Sequence, residues 1–472
     1  MAEGGIEHSM SDTESVPRHS SLYSDHSWNY VDKTSVEVCN IMTNLGYGEE
    51  IRRRRILKYR EWDSLMNSIS VNNISIITAG SKAEGLTGWL ESDFDTLYVL
   101  KTVLCVEAGI DLHTTPDDIE VYRMDTRVYP GYCKMLLERQ GSTRFNVIKN
   151  ALCDDGKGNA ILSSGLFLDE LAKFKLYGIP RGRAGPSLPR TLKKGNLDID
   201  YVQAIRCQCP CILQRWAARP RNWPAPNVVR KVVSLGSFVT PVGFKGSEDK
   251  LFEWRICFNT GETELVNNLN STQAKLYVIL KLIVKDVLNP KNKEVTSYVL
   301  KNIILWQAER NLPSLFQENK LFHWLHDALI TLKTAIASTQ LPYYMIPDRN
   351  LMAACGLQDE QQRKWVADIT EMIEEGPRVI LRLPKIRQAI ICHPEPLMWF
   401  SRRRIKMEML TLELRIRAAQ CRDKKGACDN SDIMLQEIHR HQTEIVREVR
   451  QRMLMECSAA DDLDDKLLGI LM

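Results

Sequence analysis

Residues 79–100 read AGSKAEGLTGWLESDFDTLYVL. A Gly-Ser pair, Gly80 and Ser81, stands ahead of a β-branched, apolar run that carries Asp93 and Asp95. Side chains two apart on a strand share a side, so the two carboxylates are presented together while Phe94 points into the core. Burying one unpaired carboxylate is costly, and two like charges side by side cost more. A divalent metal is the commonest compensation, and a rigid pair of oxygen ligands suits Mg²⁺. The glycine turn lets backbone N–H groups approach a phosphate, and Ser81 adds a hydroxyl donor. The bland alternative is a solvated strand end with two exposed aspartates; the Gly-Ser turn ahead of it weighs the other way.

Around this stretch the chain is ordinary in composition. It has 472 residues, 44% apolar and 26% charged, enough for two or three domains with a substantial core. Its 63 basic and 59 acidic residues leave a net charge of +4, so a nucleic-acid binder would need its basic residues clustered. Thirteen cysteines follow no repeating spacing, and the first thirty residues hold no apolar run. The expectation is a reduced, cytosolic or nuclear protein, cytoplasmic as the choice, with free thiols, no secretory leader and no membrane span. The tight run CQCPC (Cys207, Cys209, Cys211) reads as a packed, reduced strand end rather than a metal site.

The pattern divides the chain into four parts. Residues 1–33 read as a disordered tail, 34–264 as a core, 265–356 as a helical lobe and 357–472 as a charged helical extension. A helix pattern runs from about 34 to 69, weakened at Gly46 and Gly48. ISIITAGS, FDTLYVLK, LDIDYVQAI and FEWRICF read as strands. Residues 181–196 (RGRAGPSLPRTLKKGN) read as a basic Pro/Gly-rich loop, and helices dominate after about 265. The last two helices are expected to form a self-packed hairpin or a partner-binding arm, dispensable for chemistry.

Gly-Ser, eleven residues, then Asp-x-Asp on a strand is the layout of polymerase-β-type nucleotidyltransferases. That chemistry needs a third carboxylate on an adjacent strand. LDIDYV offers Asp198 and Asp200 on one face, and Asp200, deeper in the apolar run, is the choice. The chain as a whole resembles the cyclic GMP-AMP synthase-like receptors of the male-abnormal (Mab) nucleotidyltransferase family. The matching segments occur in order: Gly80-Ser81 with Asp93 and Asp95, IDYVQAI, EWRICF followed by Glu262, VILKLI, SYVLK and YYMIPDRNL, across roughly residues 36–356. The resemblance implies an α+β fold: a polymerase-β-type core, with a mixed sheet and a long N-terminal spine helix, plus a C-terminal helical lobe.

It also implies roles. Asp93, Asp95 and Asp200 would be catalytic and would hold two Mg²⁺ (or Mn²⁺) ions. Gly80 and Ser81 would take the donor triphosphate, Arg255 the acceptor nucleotide, with Glu262 close by. Lys281 and Ser297 would bind phosphates, and Tyr298 would stack on a base. Each has a plainer alternative: Arg255 paired with Glu253, Lys281 facing solvent, Tyr298 in the core. The implied function is nucleic-acid-activated synthesis of a cyclic dinucleotide, best 2′,3′-cyclic GMP-AMP from ATP and GTP, in innate immune and antiviral sensing. Where vertebrate DNA-sensing relatives carry a His/Cys zinc insertion, this chain reads NTGETELVNNLNSTQAK, so no zinc is expected and double-stranded RNA is favoured over DNA as activator. The resemblance allows a homodimer on nucleic acid and involves no membrane. Cys257, where some relatives carry Ser, leaves base selectivity open. The alternatives are a non-catalytic Mab-type scaffold and a template-independent RNA-tailing transferase.

The densest basic cluster is IRRRRILKYREW, on the expected spine helix. Arg52 and Arg55 share a face that Lys58 extends, so these three are expected to bind phosphates of the activator, with Arg53 or Arg54 in solvent. The loop with Arg190, Lys193 and Lys194 is the second choice.

Overall fold

The computed structural model of the chain describes residues 25–69, 73–142, 145–174, 178–183, 185–192, 197–289, 294–422, 428–429 and 431–456. The spine consists of α1 (Asp25–Met42) and α2 (Glu49–Ile69). They meet at a π-helical turn, Thr43–Tyr47, where Gly46 adopts φ +84°, a left-handed conformation that favours glycine. The first helix begins at Asp25, so residues 25–33, expected as tail, are helical; residues 1–24 lie outside the described residues.

Eleven strands follow among the described residues: β1 (Ile74–Thr78), β2 (Phe94–Val106), β3 (Glu120–Asp125), β4 (Tyr132–Arg139), β5 (Leu152–Asp154), β6 (Ala160–Leu162), β7 (Ile179–Pro180), β8 (Ser187–Leu192), β9 (Leu197–Gln208), β10 (Ser237–Thr240) and β11 (Glu253–Cys257). Their order is β1-β2-β3-β4-β11-β10-β9-β8-β7, and β2 also pairs with β9, so the path from β2 through β3, β4, β11, β10 and β9 closes on itself. The sheet is mixed: β2 runs parallel to β3 and to β9, and the remaining pairs are antiparallel. The segment 181–196, expected as a loop, is partly sheet. Residues Ser187–Leu192 form β8, which pairs with β9 and buries Ser187 and Pro189. Lys193 and Lys194 lie outside the described residues.

The helices are α3 (Gly80–Ala83), α4 (Asn146–Asn150), α5 (Ser164–Ala172), α6 (Pro210–Ala217), α7 (Pro226–Leu235), α8 (Asn259–Asn267), α9 (Ser271–Ile283), α10 (Ser297–Arg310), α11 (Leu321–Ser338), α12 (Asp359–Glu375), α13 (Pro384–Ile391), α14 (Leu397–Gln420) and α15 (Ile433–Met455). The stretch that replaces a zinc insertion forms α8 and the start of α9, which opens with a capping box between Asn270 and Gln273. Residues Thr272–Leu280 of α9 are all buried, as an all-round apolar helix requires. One hydrophobic core runs from α1 through the sheet to α13 and Leu397, so the expected core and helical lobe share it. The architecture is α+β, and no described helix is long and apolar enough to cross a membrane.

The C-terminal helices do pair, through Met407, Ile445, Val449 and Met453. They are not a detached arm. Leu412 of α14 packs with Tyr59 of the spine and Phe94 of β2.

Candidate active site

Asp95 and Asp200 stand opposite one another in register on parallel strands β2 and β9. Parallel pairing places equivalent residues side by side, so both carboxylates face one cavity of about 270 Å³. Asp93 immediately precedes β2 and is exposed. Burial first, and then the charges of Asp200 and Asp93, push the Asp95 carboxyl up to about 6. Asp198, the rejected candidate on β9, instead accepts from Thr191 Oγ1 at 2.5 Å and pairs with Arg181.

The glycine turn sits against these acids. Ala79 donates to the Asp95 carbonyl at 2.9 Å, closing the turn onto the strand. Gly80 has φ +62°, and a Cβ there would lie 2.1 Å from Asp95 Oδ2. Both the backbone conformation and the missing side chain are therefore demanded by the close approach. Lys281 Nζ of α9 donates to Ser81 Oγ at 2.5 Å, joining two residues 200 positions apart. Burial pulls the Lys281 pKa down, with Glu84 acting against it. Lys281 is half-buried and faces this site rather than bulk solvent.

The other expected residues line the same cavity: Arg255, Glu262, Ser297 and Tyr298, together with Cys257. Arg255 is not paired with Glu253, which accepts from Phe244 N at 2.9 Å and Ser247 Oγ at 2.5 Å. Glu262 is a buried organiser: it accepts from Tyr298 Oη at 2.7 Å and Tyr343 Oη at 2.6 Å. Lys301 and Glu84, to which the sequence attaches no role, line the cavity as well. Lys301 Nζ lies 2.6 Å from Glu84 Oε1 and 3.5 Å from Glu262 Oε2. Burial would lower the Lys301 pKa, but the two carboxylates outweigh it and hold the ammonium well above its usual range. Lys301 closes the SYVLK segment four residues after Ser297, on one face of α10, which was the available signal.

Could the acids hold a metal? Among the described residues no three His, Cys, Asp or Glu side chains are gathered as a metal-holding set. The donors present nevertheless fit a hard divalent cation. Asp95 and Asp200 converge and Asp93 adds negative charge; burial first, and then these two charges, raise the Asp95 carboxyl. Oxygen ligands with room for water or phosphate oxygens are what Mg²⁺ accepts.

The basic cluster is a correction. Arg52 and Arg55 are buried, with 2% and 3% exposure. Arg52 donates to the carbonyls of Glu84 and Leu269, each at 3.2 Å, and to Val266. Arg55 pairs with Glu408, and Lys58 with Glu413 at 2.6 Å and Glu61 at 3.0 Å. Arg52 and Arg55 are thus spent on protein groups rather than offered to phosphates. Arg52, Arg55, Ile56 and Tyr59 form the i, i+3, i+4, i+7 stripe that α2 turns inward. Arg53, Arg54 and Arg60 are the exposed cations of α2.

Family comparisons match two segments. The description Mab-21 protein nucleotidyltransferase domain matches residues 183–268, and Mab-21 protein HhH/H2TH-like domain matches residues 272–371. Among curated proteins, the chain is similar to a cyclic GMP-AMP synthase-like receptor from Aethina tumida, at 25% identity over 197 residues. That match covers 41% of this chain and 45% of the relative, less than half of its length. Asp200, Arg255 and Glu262 fall inside the matched domains; the Gly80 turn, Asp95 and α14–α15 fall outside them.

Proposed function

The chain is a member of the Mab-21 and cyclic GMP-AMP synthase-like family, carrying its nucleotidyltransferase domain and C-terminal domain, and from that premise we propose that it joins two nucleoside triphosphates into a cyclic dinucleotide. The observation that carries this is the pairing of Asp95 with Asp200 beneath the Gly80 turn, in one cavity. ATP and GTP are the proposed substrates and 2′,3′-cyclic GMP-AMP the proposed product. A nucleic acid, double-stranded RNA before DNA, is the proposed activator, in an innate immune role.

In this reading Ser81 and Lys281 hold the donor triphosphate, since their side chains already meet. Tyr298 offers a ring to a base while its hydroxyl is held by Glu262. Arg255 faces the acceptor. The Lys301–Glu84–Glu262 cluster fixes α10 against the turn and sets the charge of the cavity wall. Asp93, Asp95 and Asp200 would hold Mg²⁺ or Mn²⁺, which when bound lowers the barrier to attack by a ribose hydroxyl and to loss of pyrophosphate. Activator contacts move from Arg52 and Arg55 to Arg53, Arg54 and Arg60, the exposed cations of the spine.

The test is incubation with all four nucleoside triphosphates, Mg²⁺ or Mn²⁺, and either double-stranded RNA or DNA, followed by product mapping. Asp95→Ala and Asp200→Ala are expected to lose more than tenfold in rate, over ~1.4 kcal/mol, while Asp198→Ala keeps activity. Linear tailing of an RNA primer would instead identify a tailing transferase. A second reading, a non-catalytic scaffold, is favoured by one observation: the acids are not gathered as a complete metal set among the described residues. Absence of any product with either activator would select it.

A further inference from the structure

The final helices lie beyond both matched domains, yet α14 touches each of the two segments that build the site. Glu408 takes Arg55 in a bidentate pair, Nε–Oε1 at 2.8 Å and Nη2–Oε2 at 2.7 Å. Both partners are buried, at 3% and 6% side-chain exposure. The free edge of the same guanidinium donates through Nη1 to the carbonyls of Gly46 at 2.7 Å and Gly85 at 3.3 Å. Gly85 belongs to the turn that follows Ser81. Glu84 N donates to the Gly80 carbonyl at 3.2 Å, Gly85 N to Lys82 at 3.0 Å and Leu86 N to Ser81 at 3.0 Å. Seven residues further along α14, two turns on, the contacts change target. Arg415 lies 3.8 Å over the Trp62 ring and 4.4 Å over Phe94, the residue between Asp93 and Asp95. Arg404 meanwhile donates to the Leu45 carbonyl at the spine joint.

We propose that α14 is a positioning element of the nucleotidyl-transfer site and that Glu408 is its positioning residue, acting through Arg55 on the turn Gly80–Leu86. Arg55 is oriented by two bonds to one carboxylate, so its remaining donor reaches Gly85 at a fixed angle. Without Glu408 the guanidinium is a buried, uncompensated charge that seeks other acceptors, and the turn loses its anchor. Gly80 and Ser81 must hold their places against Asp95 and Lys281 to within fractions of an ångström, because the Gly80–Asp95 gap admits no side chain. The C-terminal hairpin thereby joins the site from behind, without contributing a group to the cavity.

The inference rests on the reading of Gly80–Ser81 as the triphosphate turn, and its test separates the two. Two full-length variants are compared with wild type: Glu408→Gln, and the double variant Arg55→Met/Glu408→Met. An apolar pair of similar volume replaces a buried ion pair without loss of stability in many proteins, so it restores packing but leaves the Gly85 carbonyl without its donor. Amide hydrogen exchange is read at Glu84, Gly85 and Leu86, with β9 as internal reference. At least tenfold faster exchange at these three amides is expected in both variants, with unchanged exchange in β9 in the double variant, whose stability is kept. The KM for nucleoside triphosphate is expected to rise at least fivefold, more than kcat falls. A double variant that melts like wild type and shows wild-type exchange at the three amides overturns the proposal, since Glu408 would then act through packing alone. Exchange reports on the turn whether or not product forms, so an inactive wild-type protein would sink the enzyme reading alone.

Discussion

Asp95 is the residue on which the site's electrostatics converge. Its carboxyl is pushed up to about 6 from an ordinary value of 3.8, by burial first and then by Asp200 and Asp93. An acid raised in the folded chain binds its proton more tightly folded than unfolded. The metal-free protein therefore loses stability as pH rises through the window from about 4 to 6, and the loss is complete above it. That rise corresponds to at most ~3 kcal/mol. Asp95→Asn removes this penalty. In chelator, the variant is expected to melt above wild type at pH 7.5, with the advantage shrinking to nothing by pH 4. A melting-temperature difference that does not vary with pH would show that some other group sets the balance. Added Mg²⁺ or Mn²⁺ should raise the melting temperature of wild type and leave the variant nearly unmoved.

At the scale of elements, α2 shows both how much of the fold was legible and where legibility stopped. The spine helix, its Gly46 break, strands β1, β2, β9 and β11, and helices α9, α10, α11, α14 and α15 all follow from periodicity and breakers. Strands β3, β4, β8 and β10 do not, because their partners are distant in sequence and β8 hides among prolines and basic residues. Within the site, Asp95, Asp200 and the Gly80 turn stand in a pattern that spacing exposes. Glu84 and Tyr343 do not, since only tertiary packing makes them partners, and Lys301 shows only through its spacing from Ser297. The arginine run was legible as a face but not as a buried one: four consecutive charges look solvated, and the carbonyls that bind Arg52 come from residues 84, 266 and 269. The two kinds of arginine should separate in experiment. Arg52→Ala orphans buried carbonyls and is expected to cost at least ~2 kcal/mol of stability. The triple change of Arg53, Arg54 and Arg60 to Ala should leave melting unchanged and flatten the salt dependence of double-stranded RNA binding by up to ~0.9 per lost phosphate contact. Wild-type salt dependence in the triple variant would place the polyanion elsewhere.

For the whole molecule, the decisive question is whether residues 357–472 are an appendage. Charge-rich composition and helical spacing suggest a separable hairpin, and its own apolar seam agrees. Its other side does not. Trp365 of α12 donates to the Leu288 carbonyl at 3.0 Å from within the main core, joined there by Ile369 and Met372. Lys385 pairs with Glu91 and with Tyr47 Oη, the latter at 2.6 Å, bracing the spine joint. Leu412 caps Tyr59 and Phe94, and Glu408 neutralises Arg55. Cutting the chain after Gly356 removes all of these at once. Breaking the buried Arg55–Glu408 pair from one side alone costs ~3–5 kcal/mol, on the order of a third or more of a typical domain's stability. Losing Trp365 from the core adds ~3–5 kcal/mol. The 1–356 fragment is therefore expected to be insoluble or unfolded, while a chain ending after Cys392, which keeps α12 and α13, should fold with a clearly lowered melting temperature and a loosened Gly80–Leu86 turn. Size-exclusion chromatography and thermal melts decide it. A soluble 1–356 fragment melting like the full chain would mean that the extension rests on the core without supporting it, and that the ion pair between Glu408 and Arg55 contributes nothing to the fold.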